Sequence, residues 1–202
     1  MNDLLIELMA YIRLNHNDIY STMFWAVIVL VLLIEVWRPR RRLNYGLKTR
    51  WFGNIVLGVV NNFLSHWLMT VVAVITVTYT AQNNWGLFNW IALPEPLVFL
   101  LSLALVDLLR YVVHRMYHNV PALWRLHRLH HTDLDLDYST QFRFHPLETL
   151  TGAVFTLPVI ALISPSVDAI IAHKLLFVVV AFFAHSNARL PVWLERYGRW
   201  IV

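Results

Sequence analysis

Five apolar stretches, at residues 19–37, 52–81, 97–113, 149–163 and 167–187, leave this chain little choice of fold. A bilayer's hydrocarbon core is about 30 Å thick, so a helix crossing it needs roughly 20 apolar residues. Within that core only helices and closed barrels satisfy their own backbone. Composition agrees: 58% of residues are hydrophobic and only 14% are charged, where soluble domains carry about 25% charged residues. The expected fold class is all-α, an integral membrane helical bundle with about four to five hydrophobic segments, a single domain over residues 1–202.

Charge then orients the segments. Residues 1–18 place Leu4, Leu5, Leu8 and Ile12 at helical spacing and read as a small interfacial helix ahead of the first span; His16 receives no role there. A cleaved leader does not fit, because Asp3 and Glu7 stand where a basic cluster belongs. Residues 38–50 carry six basic side chains, which hold that end of the span in the cytoplasm or contact anionic headgroups or an acidic donor protein. The second stretch contains Asn54, Asn61, Asn62, Ser65 and His66, so it is expected to pack inside the bundle. The following segment, AQNNWGLFNWIALPEP, has no Lys or Arg and suits an external loop in the aromatic interface belt. The third span continues inward through His118, and 149–163 with 167–187 form a hairpin turning at SPSVD. Of sixteen Lys and Arg, fourteen fall in 38–50, 110–143 and 189–199, all on one side of this topology; Arg13 and Lys174 are the exceptions. The last residues, RLPVWLERYGRWIV, resemble the start of an amphipathic interfacial helix.

Six of the ten histidines lie within residues 114–145, in the region 114–148 that the topology makes a cytoplasmic helical cap. His114 and His118 are four apart, and His127, His130 and His131 are three and four apart, so on helices each set projects from one face. A neutral imidazole offers a metal one lone pair, and such pairs and triplets supply several. The chain has no cysteine, which excludes disulfides, iron–sulfur clusters and thiolate ligation and leaves nitrogen and oxygen donors. Asp107 and Tyr111 share the projected face of His114. Asp107 reads either as an acceptor for an imidazole N–H or as the partner of Arg110 or Arg115, and Asp133, Asp135 and Asp137 read as a solvated polar loop.

The ordered series Asp107-x-x-x-Tyr111-x-x-His114-Arg115-x-x-His118, His127-Arg128-x-His130-His131, Arg143-x-His145-Pro146-x-Glu148 and His185-Ser186-Asn187-x-x-Leu190-Pro191 closely resembles the fatty acid hydroxylase superfamily, also called the sterol desaturase family. The resemblance covers the second half of the chain. It implies a membrane oxygenase whose histidines hold two non-haem iron ions, use dioxygen and supplied electrons, and hydroxylate or desaturate a lipid. On that resemblance the metal ligands are His114, His118, His127, His130, His131 and His185, with His145 as a further candidate. Asp107 and Glu148 would accept hydrogen bonds from ligand imidazoles, with Tyr111 beside them, and Asn187 would bond a ligand. The implied partners are a bilayer lipid and a separate electron donor of ferredoxin or cytochrome type, without nucleic acid. Family members typically continue into a further HxxHH element that this sequence lacks before Val202, so a fragment, a site completed by other ligands and an inactive relative are all open. Two other classes stand beside the oxygenase: a b-type haem held by His66 and His173 at similar membrane depth, and a membrane zinc hydrolase in which Glu148 serves metal-bound water.

Overall fold

The computed structural model describes residues 3–193 and 196, with the side chains of 3–6, 49, 62, 64–71, 73, 74, 77, 78 and 81 excepted. The side chains of Asn62, Ser65 and His66 and most of the expected C-terminal helix lie outside the described residues. The chain runs through α1 (Asp3–Trp37), α2 (Leu47–Gln82), α3 (Leu87–Trp90), α4 (Glu95–Asn119), α5 (Pro121–His127), α6 (Pro146–Ile163) and α7 (Val167–Ala184). Two 3-10 turns, His130–Thr132 and Tyr138–Phe142, complete the cap over the histidine end. Among the described residues, four helices are long and apolar enough to cross a membrane: α1 over Glu7–Trp37, α4, α6 and α7. The fold class is therefore the expected all-helical one, and α2, at 36 residues, is a fifth long helix.

The beginning of the chain departs from expectation. Residues 3–37 form one continuous helix of 35 residues, where an interfacial helix followed by a separate span was expected. The segment contains neither proline nor glycine, so nothing in the backbone interrupts the helix after residue 18. Arg13 forks onto Asp168 at the start of α7, with both contacts at 2.5 Å, and the residues after α1 bond those after α7, the Arg40 N–H to the Asn187 carbonyl at 2.7 Å and the Arg189 N–H to the Arg38 carbonyl at 2.9 Å, so α1 and α7 run parallel.

Apolar packing joins α1, α7 and the cap. Val27, Ile28, Val31, Val178, Phe182 and Tyr138 form the buried cluster, and Phe24, Phe142 and Phe182 meet edge to face with centroids 5.4 to 6.2 Å apart. Lipid tails are as apolar as these side chains, so packing alone gives little preference for helix over lipid, and polar bonds between segments gain weight. The turn between α6 and α7 shows the same economy of space. Gly86, at φ 110°, lies so close to Ser164 that a Cβ there would collide with it.

Polar bonds are concentrated at the histidine end. Asp135 and Asp137, expected with Asp133 as a solvated loop, are buried instead, and the Asp133 side chain is only 3% exposed, because α2 delivers a cation to the segment. Arg50 places its Nε and one terminal nitrogen on Asp133, at 2.8 and 3.0 Å, and its other terminal nitrogen on Asp137 at 2.7 Å. The Asp135 carbonyl also accepts from Arg50, and its carboxylate accepts from the backbone N–H groups of Asn44 and Tyr45. Asn54, one turn along α2, donates to Asp133 and Ser139. Arg50 thus leaves the exposed basic patch expected of 38–50 and becomes an internal tie.

Candidate metal centre

Four segments bring six imidazoles together. Residues His114 and His118 lie on one face of α4, with their Nε2 atoms 3.2 Å apart. Val120 is extended and Pro121 opens a new helix, so α5 folds back over the end of α4 and sets His127 against both rings, each with centroids 4.8 Å away. The backbone changes to a 3-10 turn after His127, yet the four-residue spacing survives: His131 Nε2 stands 3.1 Å from His127 Nε2. His185, at the C-cap of α7, places its Nε2 2.8 Å from that of His130.

Nitrogens bound side by side at about 2.1 Å from one ion stand roughly 3.0 to 3.4 Å apart. The three Nε2 pairs, at 2.8, 3.1 and 3.2 Å, fall close to that spacing. The ligand atoms of His114, His118 and His127 all lie within 4.8 Å of one another, so this trio could hold a metal ion. Tautomers fit the same reading. The His127 Nδ1–H donates to Glu148 Oε1 at 2.7 Å and the His185 Nδ1–H donates to the Ala181 carbonyl at 2.7 Å, which leaves each Nε2 lone pair directed at the cluster.

Burial holds His130, His131 and His185 toward the neutral form. Burial first, then the neighbouring rings of His185, His131 and His127, push His130 down to about 3. The same causes, with His127 foremost among the neighbours, lower His131 to about 4. His185 is also lowered, chiefly by burial. Phe144 stacks on His130 with planes 7° apart, and Trp124 stacks on His131 at 30°. Two buried atoms, His130 Nδ1 and Glu148 Oε2, have no hydrogen-bond partner among the described residues. A donor-rich cluster with an unused carboxylate oxygen beside it suits a cation.

Other expected residues fall elsewhere. Glu148 lies in the first turn of α6, buried beneath His127, with its backbone carbonyl accepting from the Tyr117 hydroxyl at 2.6 Å. His145 caps the same helix: its Nδ1 accepts from the Leu147 N–H at 3.1 Å, so the lone pair a metal would need serves the backbone. Asp107, expected beside an imidazole of the cluster, instead faces His173 Nε2 at 3.4 Å, because it lies two helical turns before His114. The Tyr111 hydroxyl accepts from Arg115. Asn187, expected to bond a ligand, ties α7 to the loop after α1: its side chain accepts from the Arg41 N–H and donates to the Arg41 carbonyl. His173 is engaged by Asp107, and its expected haem partner His66 is outside the described side chains.

Arg143 entered the sequence reading only as the first residue of the Arg143-x-His145-Pro146-x-Glu148 element, with no role of its own. Its Nε donates to the Leu129 carbonyl at 3.0 Å, a terminal nitrogen to Thr132 Oγ1 at 3.1 Å and the other to Asn54 at 2.9 Å, so it braces both ends of the turn that carries His130 and His131. The legible signal was Arg50 and Asn54, four residues apart at the polar end of an apolar helix, opposite an acid-rich DLDLD segment.

The fatty acid hydroxylase family matches this chain over residues 99–202. Alkylglycerol monooxygenase of Homo sapiens is 28% identical over 171 residues, 83% of this chain and 36% of that protein. The fatty acid hydroxylase vlmA of a Lecanicillium species is 42% identical over 57 residues, 28% of this chain and 14% of that protein. The chain thus spans a minor part of the length of these curated relatives. No solved structure matches it.

Proposed function

This chain belongs to the fatty acid hydroxylase family, and from that premise we propose that it is a membrane-bound non-haem di-iron oxygenase, hydroxylating or desaturating a lipid C–H bond with dioxygen and electrons from a separate donor protein. The observation that carries this reading is the contact of six imidazoles from α4, α5, the following turn and the end of α7, with Glu148 and the Ala181 carbonyl holding two of their Nδ1–H groups. His114, His118 and His127 would hold one ion, and His130 and His185 would begin the second sphere with His131 between the two. Bound iron supplies the one-electron and dioxygen chemistry that cleavage of an unactivated C–H bond requires.

The chain's own residues prepare that site. Glu148 and the Ala181 carbonyl fix ring orientation, Phe144 and Trp124 cover two rings, and burial keeps lone pairs unprotonated near pH 7. The apolar flanks of α4 and α7 let a lipid reach the cluster sideways from the bilayer. On the positive charge around 38–50, the histidine end would face the cytoplasm, where a donor can dock.

Six clustered imidazoles would supply one sphere and begin another, so the chain in nanodiscs should take up ferrous iron at this cluster. The reduced chain should consume dioxygen and oxidise an added alkylglycerol or fatty acid, read by mass spectrometry. Failure to take up iron, retention of zinc without oxygen consumption, or a Soret band would overturn the proposal.

A further inference from the structure

One aromatic side chain stands over the open side of the imidazole cluster. Trp124, in α5, has its ring centroid 5.4 Å from that of His118, 5.6 Å from that of His131 and 6.3 Å from that of His127. His118 and His131 are exposed, and Trp124 itself is 37% exposed. An indole combines a large apolar body with a polar tip and is favoured where such a body meets a partner. Here that contact area lies where the cluster meets water, because the face stands clear of the hydrocarbon. The 25 residues of α4 extend about 37 Å, against a hydrocarbon core of about 30 Å, and α5 follows the far end.

The charges beside Trp124 are of one sign. Arg125 follows it, and Arg128, whose N–H bonds the Trp124 carbonyl at 2.8 Å, lies one turn further along the same face. Both arginines are exposed, and among the described residues the side chain of neither has a hydrogen-bond or ion-pair partner. The described carboxylates at this end of the bundle are all engaged inward. Glu35 accepts from the N–H groups of Tyr138 and Asn187, Asp133 and Asp137 hold Arg50, Asp135 accepts from Asn44 and Tyr45, and Glu148 holds His127. The solvent side of α5 therefore presents cations with no described anion beside them, a surface that steers an acidic partner.

We propose that the exposed face of α5 formed by Trp124, Arg125 and Arg128 is the docking site for the acidic face of a soluble one-electron carrier, an iron–sulfur or haem protein, with Trp124 at the centre of the contact. This rests on the reading of the site as an oxygenase supplied by a separate donor, and it gives that donor a place and a charge. A carrier fits better than lipid headgroups, because a carrier has to come close to the imidazoles and the indole abuts three of them while facing water. Tryptophan and arginine are also the residues in which binding energy concentrates at protein interfaces. A seven-residue helix offers a small face, which suits redox encounters that bury less than about 1,200 Å².

The test is equilibrium binding of two acidic carriers, a plant-type ferredoxin and a soluble b-type cytochrome, to the full metal-free chain in zwitterionic nanodiscs. Iron uptake and oxygen consumption are not read, so failure here leaves the oxygenase proposal standing on its own test. At least one carrier should bind, more weakly as salt rises, while the basic cytochrome c should not. Replacing Arg125 and Arg128 together by glutamine should weaken binding about tenfold, whereas the same change at Arg41 and Arg42, exposed in the loop after α1, removes equal charge and should weaken it by no more than about twofold. Trp124→Ala should weaken it about fivefold or more, and Trp124→Phe less. Binding by neither carrier, equal losses from the two arginine pairs, or undiminished binding in Trp124→Ala would overturn the proposal. If Trp124→Ala does not fold, the arginine pairs decide. The wild type should keep its advantage over the Arg125 and Arg128 variant in nanodiscs that contain anionic lipid; loss of that advantage would assign the face to headgroups and refute the carrier.

Discussion

Replacing Arg50 with methionine isolates the tie between α2 and the histidine cap. Arg50 is 8% exposed, and it neutralises Asp133 and Asp137, whose side chains are 3% and 2% exposed. Methionine fills similar space but leaves two buried carboxylates facing each other without their cation. Breaking a buried ion pair from one side costs about 3–5 kcal/mol, which for a chain of this size corresponds to a fall in Tm of roughly 10 °C. Thermal unfolding in detergent measures it, with Arg42→Met, an exposed neighbour in the same basic run, as the control within about 0.5 kcal/mol of wild type. The pH profile sharpens the test. Burial pushes the Asp133 and Asp135 carboxyls up, but hydrogen bonds from Arg50, Asn54 and Thr140 to the first, and from the Tyr45 and Asn44 N–H groups to the second, outweigh it and hold both below their ordinary value. Carboxylates so lowered contribute stability above their unfolded pKa of about 3.9 and lose it as pH falls through the lower folded value. The gap between wild type and Arg50→Met should therefore narrow as pH falls, first as the unpaired buried carboxylates of the variant take up protons above pH 4 and then, below it, as the wild type protonates its lowered carboxylates. A loss no larger than that of Arg42→Met, or a gap that widens on acidification, would refute the reasoning.

Glu148→Ala should weaken metal binding by about 10- to 100-fold, because the His127 Nδ1–H loses its acceptor; competition with a chelator reads this, and unchanged affinity would show that Glu148 does not orient the ring. His118→Ala and His145→Ala should separate ligand from cap. The first should lower bound metal, whereas the second should leave metal content unchanged and cost about 1 kcal/mol of stability through loss of the α6 cap, read by metal analysis and unfolding on the same samples.

The bundle was legible because its cause is local: apolar runs of spanning length report themselves in composition, and the three- and four-residue histidine spacings survive even where α5 gives way to a 3-10 turn. What was hidden depends on partners distant in sequence. Asp133, Asp135 and Asp137 look like a solvated loop until Arg50, more than eighty residues earlier, is brought onto them. Asn187 resembles a ligand neighbour because it follows His185, yet its side chain is spent on Arg41. The single helix of α1 was missed for another reason: the charged and polar residues between 13 and 18 suggested a boundary, although no residue there breaks a helix and Arg13 finds its counter-charge on α7.

Electrostatics explains why so many imidazoles can crowd together without a strong structural penalty. Charging His130 or His131 would place a cation among neighbouring rings in a buried site, and both are pushed down, to about 3 and about 4. Neutrality near pH 7 is what makes the lone pairs available to a metal. It also means that ions bound there would leave a strongly positive centre, since imidazoles bring no compensating charge and Glu148 brings one.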